Sequence, residues 1–228
     1  MSKIKKLLAE DTVIVWGKIP VGEYRKFFEQ VISKDFADNK DFQEWVFSQA
    51  GKTLKEAAED HFNPPGHKNI EDLLSERRFN IVSEPDKAFI IAFDKAMNKL
   101  GYDCGNIIGS GVIWSPFMVI YGKTGTKSRP IIARIFIQEK EIQLRLFLNK
   151  IDVHRQYIET APAHIKEPFI GPHNDCKSCK EKCGWKEYMI DGRLMRKCNP
   201  FWFFQPTLEK LSDYMGLLSE FYAKKPAK

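Results

Sequence analysis

Residues 129–149 read RPIIARIFIQEKEIQLRLFLN, and the alternation within them decides the fold. Ile131, Ala133, Ile135 and Ile137 fall on one side of an extended chain, and Ile142, Leu144, Leu146 and Leu148 on the matching side of the next. A period of two marks strands that bury one face. The short break QEKE at 138–141 makes them antiparallel neighbours. A tight or four-residue loop centred on Glu139-Lys140 pairs Ile137 with Ile142, and therefore Arg134 with Arg145. A three-residue loop would set apolar residues opposite polar ones and is discarded.

The other face of this hairpin carries Arg134, Phe136, Gln143, Arg145 and Phe147. Two guanidinium groups directly opposite each other repel unless something negative lies between them. That role suits an acidic residue on a covering helix, or an anionic small molecule held by two guanidinium forks. Phe136, Phe147 and the nearby Trp114 would complete a shallow aromatic ligand-binding surface. The bland alternative is a solvated face on which arginine stems cover the phenylalanines.

Working outward, GVIWSPFMVIYG at 111–122 adds a third strand through the turn KTGTKS. Pro116 makes that strand an edge or a bulged one. GNIIGSG at 105–111 follows no strand and opens no helix, so it reads as a loop rather than a dinucleotide-binding turn. SEPDKAFIIAFDKAMNKLG at 83–101 is a helix with a capping Ser83, Pro85 in its first turn, and Glu84 and Asp86 at the positive end of its dipole. Phe89, Phe93, Met97 and Leu100 share one face, and Gly101 supplies a left-handed stop. After the meander come one or two short helices over 150–168, a last strand in PFWFF, and a closing helix striped by Leu208, Leu211, Met215, Leu218 and Tyr222. The expected fold class is α+β, an antiparallel β-meander packed against long helices.

Residues 1–83 read as a mostly helical N-terminal segment, and 84–228 as the α+β domain, which includes a metal-binding hairpin at 173–198. The first part has a strand in TVIVWGKI at 12–19 and helical patterns around Glu23–Ser33, Asp41–Ala50, Thr53–Phe62 and Ile70–Arg77, broken by NPPGH at 63–67. AGKT at 50–53 is no phosphate loop, because Val46 stands where that motif needs glycine. The helix, turn and helix over 42–62 resemble a DNA-reading element, yet Glu56, Glu59 and Asp60 would repel a phosphate backbone. A helical hairpin packing on the main domain is the preferred reading. Charge divides at the same boundary: 13 Lys and Arg against 14 Asp and Glu before it, and 23 against 16 after it.

Four of the five cysteines lie in CKSCKEKCGWKEYMIDGRLMRKC, with spacing C-x2-C-x3-C-x14-C. Asp191-Gly192 is a favoured pair for a two-residue hairpin turn. Pairing Ile190 with Arg193 and counting outward sets Trp185 opposite Cys198, with Cys183 just beyond the strand end. Cys176, Cys179, Cys183 and Cys198 can then converge, and four thiolates are the closed tetrahedron a structural Zn²⁺ prefers. An iron–sulfur cluster is the alternative cofactor. His173 could replace one cysteine. Lys177, Lys180, Lys182 and Lys186 are expected beside the sulfurs, where their charge would favour thiolates. A redox dithiol lacks its usual strand-to-helix setting. Cys104 lies apart and reads as a small buried residue.

The stretch from GPHNDCKSCKEKCGWKEYMIDGRLMRKC to the aromatic strand and final helix resembles a C-terminal pattern of uncharacterised bacterial proteins. That resemblance implies that the cysteine hairpin is a unit, and brings no established activity.

A hydrophobic fraction of 43% excludes wholesale disorder. The chain shows neither a signal peptide nor an apolar run long enough for a membrane, which points to the cytoplasm and reduced thiols. The histidines His61, His67, His154, His164 and His173 are scattered, His154 reads as surface, and no catalytic set emerges, so whether the chain is an enzyme stays open. The leading expectation is a cytosolic zinc-stabilised binding or interaction protein. The first alternative is a receptor for an anionic small molecule, or an enzyme, using the arginine–phenylalanine face. The second is a nucleic-acid-binding protein using Arg193, Arg196, Lys197 and Trp185 of the basic hairpin, which is not favoured.

Overall fold

The structure is a computed structural model of the 228-residue chain, and the residues described are 39–62, 66, 68–112, 114–123, 130–139, 141–172, 185–198 and 200–222. The strand expected at 12–19, the helix around Glu23–Ser33 and most of the NPPGH break lie outside them. The described chain is α+β. Its helices are α1 (Asn39–Ser48), α2 (Leu54–Phe62), α3 (Ile70–Leu74), α4 (Glu84–Lys99), α5 (Arg155–Thr160), α6 (Ala163–Ile170) and α7 (Leu211–Tyr222). Its strands are β1 (Tyr102–Asp103), β2 (Ile108–Val112), β3 (Ser115–Lys123), β4 (Ile131–Ile137), β5 (Ile142–Leu146), β6 (Trp185–Ile190), β7 (Arg193–Cys198) and β8 (Phe201–Phe204). Strand order in the larger sheet is β1-β3-β4-β5-β8, with β2 also paired to β3, while β6 and β7 pair with each other.

The chain divides into two compact units that are not consecutive in sequence. The first joins the described residues before Glu84 to 105–119 and 136–139. The second holds 84–104, 120–135 and the described residues from 141 onward.

In the first unit, α2 starts where Thr53 Oγ1 accepts from the Glu56 backbone N–H (3.1 Å) and Glu56 Oε2 accepts from the Thr53 N–H (2.7 Å). This reciprocal capping box answers two N–H groups that the first turn leaves open. Asn69 and Asp72 do the same for α3. That helix stops at Leu74, short of the expected Arg77, and a 3₁₀ turn at Arg77–Phe79 follows. Leu54, Ala57, Leu74, Phe79 and Phe117 are buried, and the rings of Phe79 and Phe117 meet edge-on at 4.9 Å. Glu56 and Glu59 face solvent, while Leu54 and Ala57 of the same helix are buried.

GNIIGSG, expected to be a loop, supplies β2, whose partners run Ile108↔Val119, Gly109↔Met118, Ser110↔Phe117 and Val112↔Ser115. Its glycines hide the strand from side-chain periodicity and at the same time allow it. A Cβ on Gly109 would collide with the Phe47 ring, and one on Gly111 with the Ser115 carbonyl oxygen. β3 is consequently not an edge, since β2 and β4 flank it. Pro116 fits as the second residue of the strand, at a point the β2 pairing passes over.

In the second unit α4 buries Phe89, Ile90, Phe93 and Met97, and Gly101 takes φ +82° as a left-handed stop. Phe93 meets Tyr121 at 5.3 Å, Phe89 meets Tyr214 at 6.1 Å, and Tyr214 meets Phe203 at 5.4 Å. These rings join helix, sheet and closing helix in one core. The buried residues of α7 are Tyr214, Leu217 and Leu218; Leu218 is as expected, Leu211, Met215 and Tyr222 are half-buried, and Leu208 lies in a preceding 3₁₀ turn with its side chain out. Cys104 is buried, its thiol 3.3 Å from Asp94 Oδ1.

Candidate functional site

Three places carry chemistry. The first is the arginine row of the second unit. Phe147 N–H donates to the Ile132 carbonyl at 2.9 Å, which sets 132 opposite 147 and, counting inward, Arg134 opposite Arg145. Arg145 in turn stands opposite Trp202 of β8. The row Arg134–Arg145–Trp202 therefore crosses three strands.

Aromatic rings meet these cations. The Arg145 guanidinium carbon lies 3.4 Å from the centre of the Trp202 ring, and that of Arg134 lies 5.3 Å from the centre of Phe147. A π-face offsets part of the cost of taking a cation out of water. Burial, and after it the charge of Arg134, holds the Arg145 pKa down to about 10, and burial lowers that of Arg134. Arg145 therefore remains charged at neutral pH. The Arg134 Nε is buried and makes no hydrogen bond among the described residues. Phe136 and Trp114, assigned to the same surface from the sequence, belong to the first unit, where their rings meet at 4.7 Å, tilted by 33°. Phe136 is fully buried there and Trp114 is exposed. Trp202 was missed because only the β5–β8 register brings it to Arg145.

The second place is the β6–β7 hairpin. Asp191 and Gly192 take φ +50° and +70°, the two left-handed residues that a tight hairpin turn requires. The register runs from Ile190↔Arg193 to Trp185↔Cys198, as the Asp-Gly turn dictates. Tyr188 donates to the Phe169 carbonyl at 2.8 Å, Ile190 is fully buried, and Asp191 is paired with Lys166 at 2.6 Å. Lys186 donates to Asn149 Oδ1 and, at 3.4 Å, to the Leu148 carbonyl. Lys197 is 1% exposed and its ammonium is held by the Gly171 carbonyl. Arg196 pairs with Glu187 at 2.9 Å. Of the nucleic-acid candidates, Lys197 is thus enclosed and Arg196 already has a carboxylate. Cys176, Cys179, Cys183 and His173 lie outside the described residues, and among those described no three of His, Cys, Asp and Glu gather as a metal would need.

His154, expected at the surface, is buried, with Nδ1 2.7 Å from Glu220 Oε1 and its ring 4.0 Å from that of Phe221. The partner comes from α7, too distant in sequence to be foreseen.

The third place is an open pocket of the first unit, with a volume of about 350 Å³, lined by the second half of α1, by Asp60, Gly66 and Lys68, by residues from Leu73 to Arg78, and by the turn from Gly105 into the start of β2. Arg78 holds its wall together. It donates to the carbonyls of Ser48 (3.0 Å) and Ala50 (2.6 Å) and pairs with Glu76 at 2.7 Å. Lys68 pairs with Glu76 at 2.8 Å, and Lys52 with Asp60. Burial pushes the Glu76 carboxyl up, but the hydrogen bond from Lys68 and the charges of Arg78, Lys52 and Lys68 outweigh it and leave its pKa below the ordinary value. Nothing in the sequence pattern marks this pocket, because its lining comes from four separated stretches.

The comparisons with known proteins add one finding. Residues 6–63 are similar to a domain of unknown function, DUF6434. Within the described chain this match spans α1 and α2. No curated protein and no solved structure matches the chain. No helix among the described residues is long and apolar enough to cross a membrane.

Proposed function

We propose that the chain is a binding protein of a reducing, cytoplasmic compartment, stapled near its C-terminus by one structural Zn²⁺ on Cys176, Cys179, Cys183 and Cys198. The observation that carries this reading is the hairpin register, Trp185↔Cys198. It returns Cys198 to the mouth of the ribbon, and Cys183 lies two residues before Trp185 in sequence. The donor set suits the metal: four thiols leave no open position, as structural zinc prefers, and a closed site supplies folding energy rather than chemistry. Elemental analysis of the purified protein tests it, with one zinc per chain expected. Iron and sulfide in place of zinc would move the reading to a cluster.

A second reading concerns what is bound. Two arginines side by side, each lying on an aromatic ring, favour a flat anionic small molecule that could accept from both guanidinium edges. Calorimetric titration with small aromatic carboxylates and phosphates checks this. Binding that survives both Arg134→Ala and Arg145→Ala would end it. The nucleic-acid alternative is weakened by the engagement of Lys197 and Arg196, and a steep loss of binding with salt would be needed to restore it.

A further inference from the structure

We infer that the outer edge of β7 receives an extended acidic segment of another protein, which joins the β6–β7 ribbon as a third strand. The Asp191-Gly192 turn makes Ile190 and Arg193 a hydrogen-bonded pair, and the register carries that alternation along the ribbon. Met189 with Leu194, and Glu187 with Arg196, are therefore pairs whose N–H and carbonyl groups point outward from the two edges. On the β6 side carboxylates answer them. The Met189 N–H donates to Asp152 Oδ1 at 3.1 Å, and the next outward N–H, that of Asp191, donates to Glu159 Oε1 at 2.9 Å. The β7 side is different. Among the described residues no further strand runs beside it, and no backbone group meets the outward N–H and carbonyl of Leu194. An edge of that kind is a template for strand addition.

The side chains select the occupant. Leu194 is 65% exposed and stands across from the half-buried Met189, which makes an apolar step on the solvent face. The strand itself, RLMRKC, carries no carboxylate. Glu187 answers Arg196, whereas Arg193 is exposed and meets no carboxylate among the described residues. A second copy of β7 would bring arginine against arginine, which is unfavourable across a ladder. A nucleic-acid phosphate accepts but does not donate, so it would leave the Leu194 carbonyl unmet. A peptide strand both donates and accepts. The segment that fits places a branched apolar residue beside Leu194 and a carboxylate beside Arg193, just as Asp152 and Glu159 already serve the opposite edge.

The test uses the full ¹⁵N-labelled chain and three peptides: acetyl-Thr-Glu-Thr-Val-Glu-Thr-amide, its analogue with both Glu replaced by Lys, and the acidic peptide N-methylated at its first Glu and at Val. The acidic peptide is expected to shift the Leu194 and Arg196 amide resonances saturably and to slow hydrogen exchange of the Leu194 amide, while the other two do neither. Leu194→Pro removes an N–H that faces away from the ribbon, so the β6–β7 ladder is kept, and it should weaken the acidic peptide about tenfold or more. Arg193→Glu, which touches no backbone donor, should weaken it about three- to fivefold. Unchanged Tyr188 and Ile190 amide resonances show that the hairpin persists in each variant. The inference is overturned if the acidic peptide leaves these amides unmoved, if the lysine or N-methylated peptide binds as well, or if both variants bind as the parent does. It is equally overturned if the Leu194 and Arg196 amides shift with protein concentration alone, which would make a second copy the occupant.

Discussion

The two units treat a buried guanidinium in opposite ways. In the first, Arg78 has a side chain only 6% exposed and meets Glu76, which also receives Lys68. Burial lowers the Arg78 pKa, and the charge and hydrogen bond of Glu76 work against that shift. In the second, Arg145 meets Trp202 and another cation, and the charge of Arg134 adds to the effect of burial. A matched network is structural, because its charges are held by one another. Under the proposed reading, a row of like charges resting on π-faces attracts an anion. The proposal turns on that contrast: Arg78 builds a wall, and the arginine row is read as a binding surface.

Removing Glu76 should break the contrast most severely. Glu76→Gln leaves Arg78 buried without its carboxylate and should cost about 3–5 kcal/mol in urea unfolding. The folded pKa of Glu76 is depressed, so its contribution is present above the ordinary carboxylate range and lost as pH falls through the lowered value. The variant should show a flatter acid limb than the parent. Next in size, Thr53→Ala removes the acceptor that caps α2 and should cost about 1 kcal/mol, with loss of some helical circular dichroism. Arg134→Met should leave stability unchanged or raise it by up to about 1 kcal/mol, since it relieves a like-charge pair, while abolishing aromatic-anion binding. A large destabilisation there would mean that the row is as structural as the wall. Leu194→Ser, at a hairpin position 65% exposed, should stay within about 0.5 kcal/mol of the parent.

What could be read from the sequence was whatever depends on local period or turn chemistry. Alternation over 131–148 placed β4 and β5 and their register, because a one-residue slip would turn every apolar side chain outward. Asp191-Gly192 fixed the β6–β7 register for a similar reason: two left-handed residues leave one way to pair. α4 was legible from its apolar face and its glycine stop. Contacts made across long stretches of chain were not legible. β2 was missed because a glycine-rich strand has no side-chain pattern, and its glycines are explained only by Phe47 and Ser115. Lys197 read as a nucleic-acid candidate of the basic hairpin, yet it is enclosed and the Gly171 carbonyl claims it. Trp202 joined the arginines through strand pairing that no local window contains. The pocket of the first unit draws on residues from Glu44 to Ile108, so its lining is a property of the folded unit.

X-ray absorption at the zinc edge of the purified chain tests the staple most directly. The account predicts one zinc with four sulfur neighbours at about 2.3 Å, and a spectrum that loses one sulfur in Cys198→Ser. Metal-free protein that remains fully folded, or a Cys198→Ser variant whose zinc keeps all four sulfurs, would contradict it.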